Sequence, residues 1–245
     1  MRRAATPSPS VVASLQFTGP QEAATAKLAY AAEQPGCIAL LCGPAGVGKT
    51  TVLLQVAVGG LPQEQTILMG TPADLSDPDD VGGGGDHGQH DAGPMQSSLP
   101  AVLFVDEADR VSGADLVDLV GRWRRRRPAI VIVLAGEGRL LSLVASAARL
   151  EQSVRLRATL PVFTLAESSR LLAARLAVRA SESGHADDPH REAVIRTIHE
   201  IAGGIPAIAL RLADMAAMLV DADPGHRLVP DDIETIHRRL SLAAA

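Results

Sequence analysis

Lys49 and Thr50 follow three glycines at fixed spacing, in the stretch Gly43-Pro44-Ala45-Gly46-Val47-Gly48-Lys49-Thr50. Glycines let a backbone turn sharply, so that successive N–H groups point inward at an anion. A helix beginning at the same spot adds partial positive charge. The stretch satisfies the phosphate-binding pattern G-x-x-x-x-G-K-[ST], the Walker A pattern. In that arrangement Lys49 is expected to reach the β- and γ-phosphates of a nucleotide, and the Thr50 hydroxyl to ligate magnesium. The backbone of Gly43, Pro44, Ala45, Gly46, Val47, Gly48, Lys49, Thr50 and Thr51 would cradle the phosphates. The bland alternative is a Gly-rich turn carrying a solvated lysine.

A second motif, an acidic pair, bears on hydrolysis. Ala101-Val102-Leu103-Phe104-Val105 is a continuous apolar run ending in Asp106-Glu107, a Walker B arrangement. Such a run reads as a strand buried on both faces of a parallel sheet. Ligands of open α/β sheets bind beyond strand C-termini. Asp106 is thereby placed to hold magnesium, and Glu107 to polarise the attacking water. The competing reading is an acidic helix cap after a core strand.

The flanking elements fit these roles. Residues 37–42 read as a buried strand and 51–57 as a helix, so the glycine loop lies between strand and helix. A helix is expected over 20–33, strands over 66–69, 129–134 and 154–157, and helices over 114–124 and 138–150. This alternation predicts an α/β fold with a parallel sheet and helices on both faces. From Thr164 onward the pattern is helical, over 165–180, 189–202, 205–220 and 230–240. Thr164 with Glu167 makes a capping box. The expected organisation is a loose arm at 1–14, a core at 15–160 and a helical region at 161–245. Residues 76–98, with four glycines at 82–85, read as a flexible insert in that core.

The 245 residues allow one large domain or a core plus a small second one. Apolar residues make up 47% and aromatics 2%, so the core must be built from Ala, Leu, Val and Ile. A formal net charge of −5 argues against a strongly basic nucleic-acid binder, while leaving room for a local basic patch. Cys37 and Cys42 lie on one predicted strand, about 16 Å apart at ~3.3 Å per residue, too far to bridge. Buried free thiols, no apolar stretch after Arg2 and Arg3, and no run of membrane-span length point to a cytoplasmic location.

These motifs in this order resemble the AAA+ ATPases, most closely the group holding the ExeA-type general secretion ATPases and the transposition-helper (TniB-like) ATPases. The resemblance covers about residues 15–241 and is carried by GPAGVGKT and LFVDEAD. VLAGEGRL at 133–140 and HEIAGGIPAIALRLAD at 199–214 add to it. It implies a P-loop NTPase fold, with a five-stranded parallel sheet between helices and a C-terminal helical lid, and with Mg·ATP held between sheet and lid. It also implies self-association and a partner interaction driven or gated by ATP hydrolysis.

The chain departs from that pattern in three places. Ala207 stands where the family places a nucleotide-sensing arginine after Gly-Gly-x-Pro; Arg211, one turn on, is the candidate replacement. Ser153 stands where the family places an arginine finger, with Arg149 or Arg155 as candidates. The Gly-rich insert replaces a helix between the second and third strands. Glu137, where the family has Gln, is the candidate contact for the γ-phosphate or the attacking water. Without an arginine finger, which accelerates hydrolysis about 10³- to 10⁵-fold, the protein would bind ATP and turn it over slowly, acting as a switch or scaffold.

Other clusters have bland and functional readings. Arg122-Trp123-Arg124-Arg125-Arg126-Arg127 would contact DNA or RNA phosphates with Trp123 stacking on a base, dock an acidic protein surface, or complement a helix C-terminus while Trp123 packs. Asp86, His87, His90 and Asp91 have metal-ligand chemistry but sit in a Gly-rich loop without a supporting shell. Asp109 reads as a surface helix residue.

Overall fold

In the computed structural model of the chain, residues 18–59, 61, 66–76, 78, 101–180, 189–223 and 225–243 are described. The arm at 1–14 and most of the Gly-rich insert, including Asp86, His87, His90 and Asp91, lie outside them. Contacts divide the chain into two units. The first holds the described residues up to Gly43 together with Lys49–Leu160; the second holds Pro44–Gly48 and the described residues from Pro161 onward.

Continuous apolar runs make the sheet of the first unit. Strands β1 (Ile38–Cys42), β2 (Ile67–Gly70), β3 (Val102–Val105), β4 (Val131–Gly136) and β5 (Val154–Thr159) form a five-stranded sheet in the order β2-β3-β4-β1-β5. Every pairing is parallel. β1, β3 and β4 are buried throughout, which explains their lack of polar alternation. β4 runs on to Gly136, beyond the expected end at Leu134, because β1 continues beside it and pairs Cys42 with Gly136.

Alternate strand residues serve opposite faces. Ile38, Leu40, Cys42, Leu103, Val105, Ile132 and Leu134 share one core with Leu116, Leu119, Val120 and Trp123 of helix α3 (Gly113–Arg126) and with Leu140 and Val144 of α4 (Gly138–Ser146). On the opposite side α1 (Gly19–Ala32) packs against α2 (Lys49–Gly59) and against β1 and β5.

α3 is held at both ends. Ser112 caps its start by accepting from the Asp115 N–H (3.2 Å). Near its end the buried Trp123 indole donates to the Leu75 carbonyl (2.9 Å) and Arg124 donates to the Gly36 carbonyl (2.6 Å). The single helix expected over 138–150 is two, α4 and α5 (Ala148–Ser153), because the chain leaves helical geometry at Ala147. The Ser146 hydroxyl, by bonding back to the Leu143 carbonyl (2.8 Å), competes with the helical ladder there.

The second unit is built on α6 (Leu165–Ala180), α7 (Pro189–Ala202), α8 (Pro206–Ala222) and α9 (Pro230–Ala243). Leu172, Val194, Ile198, Ala209, Leu212, Ala213, Ala216 and Ile233 form its own apolar core. The Thr164–Glu167 capping box is made: the Thr164 N–H donates to Glu167 Oε2 (2.8 Å) and the Glu167 N–H to Thr164 Oγ1 (3.3 Å). Val229 and His226 converge on Asp232 at the start of α9, with the Val229 N–H donating to Asp232 Oδ2 (2.9 Å) and His226 Nε2 also 2.9 Å from it.

Candidate nucleotide site

Parallel strands with matched registers bring their C-terminal ends to one edge of the sheet. Gly43 leaves β1, Asp106 leaves β3 and Glu137 leaves β4 there. The Gly43 N–H donates to the Gly136 carbonyl (3.2 Å), extending the β1–β4 ladder by one bond and fixing where the loop begins. The loop then turns with positive φ at Gly46 (74°) and Gly48 (102°), a region L side chains rarely enter. Gly46 is also crowded within its own unit. A Cβ added there would lie 2.8 Å from the Ala207 Cβ, and the Ala207 N–H donates to the Gly46 carbonyl (3.2 Å).

α2 starts at Lys49, so the first N–H groups of the helix, from Lys49, Thr50 and Thr51, lie next to the loop without intrahelical acceptors. Lys49 Nζ donates to the Gly43 carbonyl (2.9 Å), folding the side chain back along the loop. The Thr50 hydroxyl donates to Asp106 Oδ2 (2.5 Å), joining residues far apart in the chain. Asp106 is only 9% exposed, and its Oδ1 accepts from the Glu107 N–H (2.9 Å). The donor set, a hydroxyl beside a nearly buried carboxylate at a helix start, is all hard oxygen and suits Mg²⁺ completed by phosphate oxygens and water.

Glu107 is the one non-glycine residue with positive φ (53°) among the described residues. A left-handed non-glycine residue costs of order 1–3 kcal/mol, held by its surroundings. The reversal starts a short 3₁₀ turn, Ala108–Arg110. The Glu107 carboxylate pairs with Arg110 (3.0 Å) in a largely exposed contact. Asp109 is not the helix-surface residue the sequence suggests. Its Oδ1 accepts from the Glu137 N–H (3.1 Å), and its side chain lies over Gly136. Sequence spacing carried no signal for that contact, since it depends on the turn at Glu107.

Cys42 is buried at the end of β1; burial pushes its thiol above the ordinary value, and the Lys49 charge acts in the opposite direction. It keeps the strand end apolar and neutral.

The remaining sequence candidates, Glu137, Arg149, Arg155 and Arg211, have exposed side chains. Glu137 has an exposed side chain and caps α4 by position only, without a side-chain bond to the helix. Arg149 on α5 and Arg155 on β5 are exposed. β5 begins beside Ile38, so Arg155 lies at the end of the sheet opposite Gly43. Ser153 bonds back to the Arg149 carbonyl (2.9 Å). Arg211 is exposed on α8, one turn beyond Ala207. Trp123 is 0% exposed, so the base-stacking reading of the basic cluster is overturned: the ring fills the core under α3. Among the described residues no group of three or more His, Cys, Asp or Glu is arranged to hold a metal ion, and no helix is long and apolar enough to cross a membrane.

A glycine loop between β1 and α2, with the Thr50 hydroxyl of α2 bonded to Asp106 at the end of β3 in a parallel sheet, is the arrangement of a P-loop NTPase. Residues 19–144, more than half of the chain, match the family described as Novel STAND NTPase 5, and the chain belongs to that family. The match is with an NTPase family and assigns neither secretion nor transposition. No curated protein matches the chain. Among solved structures, a mutant RuvB of Thermotoga maritima is 20% identical, with a TM-score of 0.62 over 92% of this chain and 71% of that one. Hsp104 bound to ATPγS and casein is 17% identical, with a TM-score of 0.60 over 94% of this chain and 44% of that one. ORC2 of Aeropyrum pernix is 16% identical, with a TM-score of 0.55 over 90% of this chain and 67% of that one. At these identities the likeness is one of fold.

Proposed function

We propose that the protein binds Mg·ATP at the Gly43–Thr51 loop and hydrolyses it, and that the nucleotide state gates an interaction with a protein partner. The observation that carries this reading is the Thr50–Asp106 bond (2.5 Å) beside the Lys49–Gly43 bond (2.9 Å). Together they put a cation, a hydroxyl and a carboxylate at one helix start. On binding ATP, Lys49 exchanges a carbonyl for phosphate oxygens, gaining charge-assisted bonds. The loop amides and those of Thr50 and Thr51 take further phosphate oxygens. Magnesium, when bound, would supply neutralisation of phosphate charge. Thr50 and Asp106 would hold that ion. Glu107 leaves Arg110 to orient the attacking water and draw off its proton. Glu137 is the candidate contact for the γ-phosphate or that water.

Three further assignments belong to the same proposal. The helical unit from Pro161 acts as a lid. Arg211 senses the nucleotide in place of the arginine that Ala207 lacks. Copies of the chain self-associate, and Arg149 or Arg155 acts on the neighbouring copy.

Turnover of ATP with Mg²⁺, measured over a range of protein concentrations beside Glu107→Gln, tests the reading. The expected result is turnover that rises more than linearly with concentration and is lost in the variant. Turnover equal in both proteins would overturn it. A second reading, a nucleotide-dependent switch with negligible hydrolysis, draws on the Glu107–Arg110 pair and on Ala207; it predicts tight ATP binding with no turnover above that of the variant. The DNA-helper reading keeps only its phosphate contacts, because Trp123 is buried and Arg124 is bonded to Gly36.

A further inference from the structure

We infer that Asp109 is a positioning residue of the nucleotide site, one that locks the end of β4 to the turn after β3 and through it to the first residue of the P-loop. The inference rests on the ATPase reading for its consequence but not for its geometry. Two observations carry it. Asp109 Oδ1 accepts from the Glu137 N–H (3.1 Å), the amide of the residue that leaves β4. Gly136, immediately before, leaves space that the Asp109 side chain occupies: a Cβ there would lie 3.1 Å from the Asp109 Cγ and 3.2 Å from its Cβ.

The same Gly136 accepts from the Gly43 N–H (3.2 Å). A continuous path therefore runs from Asp109 to the Gly136-Glu137 backbone and on to Gly43. It begins at the left-handed Glu107, whose reversal turns Asp109 back toward β4. Strained non-glycine geometry persists where neighbouring structure over-determines it, and the Asp109–Glu137 bond is one such constraint. A carboxylate accepting a backbone N–H is a strong tether, because the acceptor carries full charge.

The consequence is specific. Asp109 acts through Glu137, whose N–H it binds, and fixes how that residue leaves the strand. Misplacing a group near the reacting atoms by about 1 Å can cost a hundredfold in rate. Loss of Asp109 therefore lowers turnover while leaving the phosphate cradle, and hence ATP affinity, largely intact.

The test compares Asp109→Ala and Asp109→Asn in the full chain. Asn keeps an acceptor oxygen for the Glu137 N–H, whereas Ala does not. The expected result is a roughly tenfold or larger fall in kcat for D109A, an ATP Kd within about threefold of wild type, and recovery of most of the loss in D109N. Unchanged kcat in D109A, or D109N impaired as badly as D109A, would overturn the inference.

Amide hydrogen exchange at Glu137 and Gly43, followed by NMR, separates this inference from the ATPase reading. Faster exchange at both amides in D109A, restored in D109N, supports the tether even in a protein that does not turn ATP over. Unchanged exchange refutes it whatever the turnover. Should D109A not fold, Gly136→Ala supplies the same displacement from the other side: faster exchange at Glu137 supports the contact, and wild-type exchange overturns it.

Discussion

Asp106 divides the site into two regions of contrasting construction. Its Oδ2 accepts from Thr50, which stands next to Lys49 in a short run of sequence between β1 and α2. Its Oδ1 accepts from the Glu107 N–H, and from Glu107 the second region continues to Arg110 and Asp109 and, through a bond between distant segments, to Glu137. The first region is local, and its residue types announce their chemistry. The second is relational: Asp109 and Gly136 have meaning only in each other's presence. On the proposed function, the difference separates binding from chemistry, with phosphates assigned to the Oδ2 side and the attacking water to the Oδ1 side.

Substitutions on the two sides should therefore fail in different ways. The largest effect is expected from Glu107→Gln on the Oδ1 side. Turnover falls about 10²- to 10⁴-fold, the range of a positioned general base, while a nucleotide titration shows ATP affinity close to wild type. Lys49→Ala should do the reverse. Its loss removes charge-assisted bonds of about 1.5–3 kcal/mol each, weakening ATP about 10²-fold in the same titration. Equal losses of affinity in both variants would erase the distinction between the two sides.

Arg110→Ala should have a smaller effect. The pair it makes with Glu107 is largely exposed, with side chains 72% and 45% accessible, so it is worth about 0–1 kcal/mol. Freeing Glu107 should raise single-turnover ATP cleavage by at most about fivefold. A large fall instead would make Arg110 part of the chemistry.

The smallest effect lies in the helical unit. Burial of Asp232 favours its neutral form, but the Val229 N–H, the His226 bond and the His226 charge outweigh this and hold its carboxyl below the usual range. A depressed carboxyl stabilises the fold above its unfolded pKa, and that contribution is lost as pH falls through the folded value. Thermal unfolding of wild type beside Asp232→Asn from pH 6 downward should show the gap between the two narrowing only below about pH 4. A gap constant across that range would contradict the cap.

The legibility of the molecule follows the same division. Strands buried on both faces are continuous apolar runs, so β1, β3 and β4 could be read directly, along with the parallel sheet they imply. The glycine loop and the Asp106-Glu107 pair could be read because phosphate chemistry restricts residue types at fixed spacing. Two features were hidden, and the packing of Trp123 stood in the sequence only as one alternative. The break at Ala147 depends on a serine competing for a backbone carbonyl, and apolar periodicity passes through it unchanged. The burial of Trp123 beneath its arginines depends on which face of α3 meets the sheet and on the Leu75 carbonyl, distant in sequence. The role of Asp109 depends on a positive φ at a glutamate, which no residue preference announces.

The most direct measurement is the ATP affinity of wild type and of Thr50→Ala, each with Mg²⁺ and with EDTA. The Thr50–Asp106 pair predicts that Mg²⁺ tightens ATP binding to wild type by about tenfold or more and has little effect on the variant, since Mg²⁺ sites of this kind rely on one or two protein oxygens beside the phosphates. Equal tightening in both proteins, or none in wild type, would contradict a magnesium nucleotide site at Thr50 and Asp106.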